Sequence, residues 1–399
     1  MKISPRKVAV FASLSVLLAI VAIYVAFHVS SNRVLVPARA RIAESYAKHS
    51  PAFLADATAI ERASPFPVAM GTHGAGPFLN PRMAWDGPPA AVEAYRAKVG
   101  QQESIGVPSA VFEALGRWGP QWVEHASDDS IAKIDTGLLK ELLQYDHWDI
   151  ESGSPSEEMR PFSVVSRPVP RFGTLVSLAK VRLLQAMRGG SMKDAAAEVR
   201  HVARLVHSTE TIVGALVATL LLGIERAAFD KHVAAGGATD GLAPVTTELP
   251  ARMQRFVYAY GAYAAPYAPS DVSSKLLGSG APSFGKCAAL SDGAEIALIV
   301  RQNLDREMAD RYREIGGYLA ANQGTCRLKT LRKLWAQFPG TEGILDVNLK
   351  DVCAVSSLAG ATVPFCRVTS ALAFLPGIRP KVGHLLLVGL SDPFRLYEK

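Results

Sequence analysis

The sequence predicts a mainly α-helical protein with a single N-terminal transmembrane helix. Three observations favour this fold class: an uncharged apolar run near the N-terminus, later segments with apolar residues at helical spacing, and loops rich in Pro and Gly with little strand pattern. With 399 residues, 49% of them hydrophobic, the chain is long enough for two or three domain-sized cores. The composition excludes a disordered tail, a collagen-like fibre and a small disulfide-dense toxin.

The N-terminal run, Val8 to Val29, contains 22 residues without Lys, Arg, Asp or Glu. At 1.5 Å per residue it reaches roughly 33 Å, enough to cross a hydrocarbon core of about 30 Å. A cleavable signal peptide has a shorter apolar stretch of about 7–15 residues. An A-x-A site at 38–40 leaves cleavage open, but it ends 11 residues beyond the run. We therefore interpret 8–29 as an uncleaved signal anchor.

The charges on the two sides of this run do not decide its orientation, because each side carries three: Lys2, Arg6 and Lys7 before it, and Arg33, Arg39 and Arg41 after it. A tail of seven residues stays easily in the cytoplasm, and long domains translocate largely regardless of charge. We therefore predict that 1–7 is a cytoplasmic tail. The remaining chain is then extracytoplasmic, anchored in the inner (plasma) membrane and periplasmic in a Gram-negative bacterium.

The first part of the body, 30–240, is predicted to be a helical region interrupted by loops. Two short helical patterns lie within Ala38–Ala63, and Pro51 separates them. The next 26 residues, Pro65–Ala90, hold six Pro and four Gly and therefore predict an irregular segment. Helical patterns return at three places: Ala90–Gln102, Ser109–Trp118 and Asp135–Trp148, the last with Asp135 as a possible N-cap.

The central block has the clearest helical pattern. Apolar residues recur at helical spacing through Gly173–Arg188, and two glycines then stop the helix. Ser191 and Asp194 form an S-x-x-D capping box for a second helix. The predicted buried stripe of that helix is Ala196, Val199, Val202, Leu205 and Val206. This unit, 173–207, resembles one tetratricopeptide-type hairpin, particularly in GGSMKDAAAEVRHVARLV. The resemblance implies packing of two antiparallel helices and carries no activity.

A third helix is predicted from about Ser208 to Ala235. Its uncharged stretch, Ile212–Ile224, has only 13 residues, which suits a buried core helix better than a second span. The region 241–399 is predicted to be a C-terminal helical part, with helices at Ala251–Ala265 and Ser291–Ala321. The segment His384–Leu390 fits either a strand or a short buried helix.

All four cysteines lie in the last third of the chain, at Cys287, Cys326, Cys353 and Cys366. An even number outside the membrane predicts two disulfides, and three connectivities are possible. Metal ligation is the alternative, but no C-x-x-C pair or nearby His at finger spacing supports it. A local bridge between Cys353 and Cys366 fits the short loop that they enclose. The predicted helix between the other two cysteines separates them unless the chain folds back.

The densest group of acid–base side chains is Asp146, His147, Asp149 and Glu151. General acid–base catalysis needs a His or carboxylate beside a group that tunes its pKa. Neighbouring residues at a helix end point in different directions, so the simpler interpretation is a solvated helix end with Trp148 packed inward. Glu225 follows the apolar core run. We expect it to form a buried ion pair with Lys180, Arg182 or Arg204.

Other patterns give weaker indications. Tyr260, Tyr263 and Tyr267 share one helical stripe with Phe256, which is either core or a platform for a partner or a glycan. The two S-x-x-K patterns, including Ser177–Lys180, lack the other motifs of serine β-lactamases. His201 and His207 lie about 240° apart on one helix and do not chelate one metal ion by themselves. The GTHGAG segment, 71–76, lacks the Lys and Ser/Thr of a phosphate-binding loop.

These observations predict a non-catalytic binding or assembly component of the cell envelope. It is held in the membrane by 8–29, has a protein partner in the envelope, and uses no nucleic acid, cofactor or metal. Net charge falls from +7 to +4 without the three tail cations, and no basic stripe with interleaved aromatic residues occurs. The alternative is an envelope hydrolase with a site near Asp146, His147 and Asp149, or at Glu225.

Overall fold

A computed structural model describes residues 5–66, 71–87, 89–103, 105–116, 120–127, 129–152, 168–259, 284–288, 326 and 397. The protein is mostly helical, which confirms the mainly α fold class. In chain order the described α-helices are α1 Pro5–Ala63, α2 Gly76–Leu79, α3 Pro89–Val99, α4 Ser109–Gly116, α5 Asp129–Ala132, α6 Gly137–Glu141, α7 Gly173–Met187, α8 Met192–His207, α9 Ile212–Ala234 and α10 Glu248–Ala259. The described residues also form two 3₁₀ helices, Pro120–Ser127 and Leu142–Gln144. The short strands β1 (Trp85–Asp86) and β2 (Val169–Pro170) pair antiparallel.

Helix α1 contains the predicted anchor, Val8–Val29, within 59 continuous helical residues. Side chains up to residue 20 lie outside the described part of the protein. Among the described residues, the helix that is long and apolar enough to cross a membrane is α9, with half of its apolar window buried. The described part therefore gives no support of its own to an N-terminal span.

The prediction that Pro51 separates two helices is wrong, because α1 runs through both Pro37 and Pro51. Both prolines lie on the exposed side of the helix, where water can bond the carbonyls that proline leaves without a donor. The opposite side is a continuous buried stripe with a repeated 4-4-3 spacing: Phe27, Ser31, Leu35, Ala38, Ile42, Tyr46, His49, Phe53, Ala57 and Ile60. An eleven-residue repeat keeps one face aligned along a nearly straight helix.

The stripe of α1 meets α10 through an aromatic stack and a buried ion pair. The rings of Phe53 and Phe256 stack with centroids 4.9 Å apart. The carboxylate of Asp56, 6% exposed, accepts hydrogen bonds from the Arg255 guanidinium at 2.9 and 3.2 Å. A buried carboxylate that lost such a partner would be strongly destabilising. These contacts therefore fix α1 against the body.

Helices α7 and α8 form the predicted hairpin. The Ser191 side chain accepts a hydrogen bond from the Asp194 backbone N–H, which confirms the cap. The predicted stripe of α8, from Ala196 to Val206, is fully buried. This burial follows from the spacing, which places the apolar residues on one side of the helix.

Helix α9 packs against α7, α8 and α10 and forms the centre of the body. It begins at Ile212 because the Thr211 side chain accepts from the Gly214 N–H, while Glu210 has a left-handed backbone at φ 57°. The predicted start at Ser208 is therefore early by about one turn. Its packing agrees with the expected core helix, although its full length of 23 residues also meets the length of a membrane span.

The predicted helix Asp135–Trp148 is too long at both ends, because helical structure covers only Gly137–Gln144. Thr136, and not Asp135, occupies the N-cap position of α6, while the Asp135 side chain accepts from the N–H of Gly137, the first residue of that helix. Helix α6 and one 3₁₀ turn end at Gln144, and the backbone becomes extended at Tyr145. Residues 146 and 147 instead pair with the glycine-rich segment 71–75.

Several predictions fall outside the described residues. Helix α10 covers part of the predicted Ala251–Ala265, and the positions from 260 onward are not described. The predicted helix Ser291–Ala321 and the segment His384–Leu390 also lie outside. The division into 30–240 and 241–399 stays a prediction.

Candidate functional site

Two motifs singled out in the sequence lie side by side in the fold. The backbone N–H of Asp146 donates to the His73 carbonyl at 2.8 Å, and the Ala75 N–H donates to the His147 carbonyl at 2.7 Å. Gly71 permits this approach, because a Cβ there would lie 2.0 Å from the Asp146 carboxylate. The glycines of GTHGAG therefore leave room for the segment 146–147 of the same chain. In a phosphate-binding loop, the corresponding space would hold an anion.

The carboxylates in this segment hold the loop backbone. Asp146 Oδ2 accepts from the His73 N–H at 3.2 Å and lies 3.9 Å from the His73 ring, whose side chain is 81% exposed. Asp149 Oδ1 accepts from the Glu151 N–H at 2.8 Å. His147 is buried. Within the described chain, the His73 ring has no hydrogen bond to a serine, threonine or cysteine side chain that would supply a nucleophile.

Trp148 packs inward, as predicted. It is fully buried, its indole N–H donates to Asn80 Oδ1 at 2.8 Å, and its backbone N–H donates to Ser208 Oγ at 2.7 Å. The Asn80 amide also donates to the carbonyls of Asp149 and Ser152. This network fixes the segment that follows α6 against the helical hairpin.

Glu225 is fully buried on α9 and accepts three hydrogen bonds from Arg200 of α8, at 2.9, 2.8 and 2.5 Å. The predicted partners Lys180, Arg182 and Arg204 are wrong. Arg182 binds Glu198 at 2.7 Å, and Arg204 lies 4.0 Å from Asp146. Periodicity identified the helices that meet, but their relative rotation decides which arginine faces Glu225.

The two histidines of α8 have separate roles. His201 Nε2 lies 2.9 Å from the Leu142 carbonyl. His207 stacks on Phe66 at 4.7 Å and on Phe284 at 4.9 Å, and its Nε2 accepts from the Gly285 N–H at 3.3 Å. Burial lowers the pKa of His207 to about 4, so its ring is neutral at pH 7.

One open site in the body is a groove between α7, α9, α10 and the 3₁₀ helix Pro120–Ser127, with a volume of about 500 Å³. This volume is within the ~300–1,000 Å³ typical of small-molecule sites. Lys180 lies on its wall, 3% exposed, and burial lowers the pKa of its amine. Sequence reasoning missed the groove. Its one indication was a lysine on the same helical face as the buried Val176 and Leu184.

The S-x-x-K pattern of α7 coincides with this site, but Ser177 is buried at 2% exposure. The Lys180 Nζ donates to the Leu115 carbonyl at 2.5 Å. These observations describe a buried lysine in a helical core, and they place no accessible serine nucleophile beside it.

Cys287 and Cys326 form a disulfide with their Cα atoms 5.4 Å apart, which is one of the pairings that the sequence left open. The buried carboxylate of Glu210 lies within 4.8 Å of both sulfur atoms. Since the two sulfurs are bonded to each other, they offer no thiolate pair to a metal ion. Cys353 and Cys366 lie outside the described residues, as do Tyr260, Tyr263 and Tyr267.

Comparison of the chain with protein-family models, curated proteins and solved structures finds no match.

Proposed function

We propose that this protein is a membrane-anchored, extracytoplasmic helical binding component of the cell envelope, without catalytic activity of its own. The observation that carries the proposal is the continuity of α1, which runs from the uncharged segment into the packed body without a break. An anchor that is also a structural helix holds the body in one orientation relative to the bilayer. This suits a component that presents a surface or a groove to other envelope molecules.

The exposed face of α1 supports the anchor. Val21, Val25 and Val29, one turn apart, are each about half-exposed, while Phe27 and Ser31 on the other side are buried. Valines on the outer face suit contact with lipid. Asp56, which fixes α1 to the body, follows Val29 by 27 residues, or about 40 Å of helix. The buried stripe between these two points, which begins at Phe27, packs the same helix against the protein along this whole distance.

The contacts of the acid–base residues favour the binding role over the hydrolase alternative. Glu225 is bound by Arg200, and Asp146 and Asp149 accept hydrogen bonds from the loop backbone. Asp146 and Glu225 face different arginines, one turn apart on α8. Catalysis at any of these groups would require the structural contact to break first.

Membrane anchoring and sidedness are tested with a reporter that is active only outside the cytoplasm, fused after Lys399. We expect activity in the membrane fraction and loss of activity when 8–29 is deleted. A matched variant that keeps 8–29 but carries Val36→Ala, at an exposed position of α1, should behave like the unmodified fusion. An inactive full-length fusion would reverse the orientation, and a deletion variant still exported to the membrane would overturn the anchor.

A further inference from the structure

The disulfide between Cys287 and Cys326 lies against the turn that joins α8 to α9. The carboxylate of Glu210, in that turn, and the two sulfur atoms are all within 4.8 Å of one another. Glu210 is 4% exposed and Cys326 is 1% exposed, whereas Cys287 is only partly buried. Three side chains that are common metal ligands therefore meet at one point, and solvent reaches them from the Cys287 side.

The turn between the two helices holds the Glu210 carboxylate in place. The Glu210 backbone has φ 57°, a left-handed conformation that is unfavourable for a residue with a Cβ. On one side of the turn, the Glu210 N–H donates to the His207 carbonyl at 3.3 Å. On the other side, the Thr211 hydroxyl accepts from the Gly214 N–H at 2.9 Å and begins α9. The ends of the two helices thus position the carboxylate independently of the disulfide.

The segment that carries Cys287 is also held by contacts other than the disulfide. The Phe284 ring stacks on His207 with centroids 4.9 Å apart, and the Gly285 N–H donates to His207 Nε2 at 3.3 Å. These contacts lie two and three residues before Cys287. If the S–S bond opened, they would keep this sulfur beside the turn of Glu210.

Reduction converts the disulfide into a pair of metal ligands. A dithiol reductant gives up two electrons and two protons: its own thiols become a disulfide, and Cys287 and Cys326 become thiols. A divalent metal ion then displaces the two thiol protons and binds the two thiolates. Two thiolates with a carboxylate suit zinc, whereas Mg²⁺ and Ca²⁺ take oxygen ligands.

The geometry of the cluster is compatible with a tetrahedral ion. With Zn–S bonds of about 2.3 Å and a Zn–O bond of about 2.1 Å, the ligand atoms of such a site lie roughly 3.6–3.8 Å apart. The three atoms are already within 4.8 Å, so rotation of the side chains reaches this spacing. A carboxylate has about four lone-pair positions, and a metal ion takes one of them, whatever other hydrogen bonds Glu210 makes. Water from the exposed side occupies the fourth position, as in other zinc sites with three protein ligands.

We propose that Glu210, Cys287 and Cys326 form a redox-controlled zinc site, which the disulfide closes and its reduction opens. The reduced protein binds one zinc ion at this site, and the oxidised protein binds none. Because zinc binds only the reduced form, zinc also favours reduction of the disulfide. Such a site goes beyond the proposed binding role and departs from the sequence-based expectation of a protein without a metal. It does not depend on the membrane anchor.

The test removes the other two of the four cysteines, so that the proposed pair supplies the only thiols. The full chain with Cys353→Ser and Cys366→Ser, in lipid nanodiscs, is reduced with dithiothreitol under nitrogen and freed of the reductant by gel filtration. Zn²⁺ is titrated in competition with a chromophoric chelator, and Co²⁺ serves as a spectroscopic probe. We expect one zinc ion per reduced chain and the visible absorption of tetrahedral, thiolate-bound Co²⁺. Reoxidation should release the metal, and Mg²⁺ should not compete.

Two carboxylate variants in the same background test the third ligand. Glu210→Gln keeps the shape of the side chain and removes its charge. It should weaken Zn²⁺ binding by about tenfold or more, because loss of even an outer-shell partner costs about 10–100-fold in metal affinity. Glu113→Gln makes the same change at an exposed position of α4 and is the matched control, with unchanged affinity. Tryptophan fluorescence checks that each variant is folded.

Three results would overturn the proposal. The first is a reduced chain that binds Zn²⁺ no better than the variant with Cys287→Ser and Cys326→Ser. The second is a folded Glu210→Gln variant with unchanged affinity and cobalt spectrum, which would remove the carboxylate from the site. The third is loss of the native fluorescence on reduction, because the three ligands would then no longer be held together. None of these results affects the reporter experiment, so failure of the zinc site and failure of the anchor are distinguishable.

Discussion

Acidification is expected to destabilise the protein through His207. The ring is stacked between two phenylalanines, and its Nε2 accepts a hydrogen bond from Gly285. Protonation would remove the lone pair that accepts this bond and would place a charge in an apolar site. The same contacts join the end of α8 to the residues that precede the disulfide at Cys287. Local opening at low pH should therefore begin at this junction.

The sign and size of the effect follow from the two pKa values. Burial lowers the pKa of His207 from 6.5 to about 4, so the unfolded chain takes up a proton before the folded one as pH falls. The contribution of His207 to the free energy of unfolding is therefore fully present above pH 6.5 and is lost progressively as the pH falls to about 4. The gap between the two values corresponds to ~3 kcal/mol of unfolding free energy at the acid end of the window.

The assay is urea unfolding of the full chain in nanodiscs, followed by tryptophan fluorescence at several pH values within that window. His207→Phe keeps an aromatic ring in the stack and removes the titrating group, so its stability should depend less steeply on pH than that of the wild type. His73→Phe changes an 81% exposed histidine and is the control, with the wild-type pH dependence. Parallel loss of stability in the wild type and His207→Phe would refute the reasoning.

Three further predictions concern stability and are checked by the same unfolding assay at neutral pH. Glu225→Ala leaves Arg200 without its carboxylate and should cost ~3 kcal/mol, whereas the double variant with Arg200→Met should recover part of the loss. Gly71→Ala should cost ~1–3 kcal/mol because its Cβ would overlap the Asp146 carboxylate, and Asp146→Ala in the same chain should relieve most of it. Ser191→Ala should cost ~1 kcal/mol through loss of the helix cap, with Ser191→Asp as the conservative control.

The helical hairpin was predictable because its determinants are local. The cap at Ser191 depends on a residue three positions away, and the stripe from Ala196 to Val206 depends on a period of 3.6 residues. Neither feature needs knowledge of the rest of the fold. The start of α9 also depends on a local cap, at Thr211, but the polar residues just before it placed the predicted boundary about one turn too early.

The predicted break at Pro51, which the structure does not have, illustrates a limit of local rules. Proline removes one backbone donor, but the cost depends on whether water can bond the carbonyl that is left. Pro37 and Pro51 both face outward, so the helix continues through them. The 4-4-3 stripe on the other face holds the helix straight through its packing, and a propensity argument omits that packing.

The segment Asp146–Trp148 illustrates a second limit, since its conformation depends on a partner about 70 residues earlier in the chain. Its apolar spacing suits a helix, but the backbone hydrogen bonds to His73 and Ala75 are available only in the folded protein. The groove has the same origin, because its walls come from four separate elements. No window of sequence contains such a site.

The distribution of buried charge gives the strongest guide to function. Residue types that are common in active sites, such as Glu225 and Asp146, face arginines of α8 in this fold, so their presence indicates packing rather than chemistry. Arg182 is likewise bound by a carboxylate of the protein. In this fold these side chains make the contacts of structural ion pairs between α7, α8 and α9.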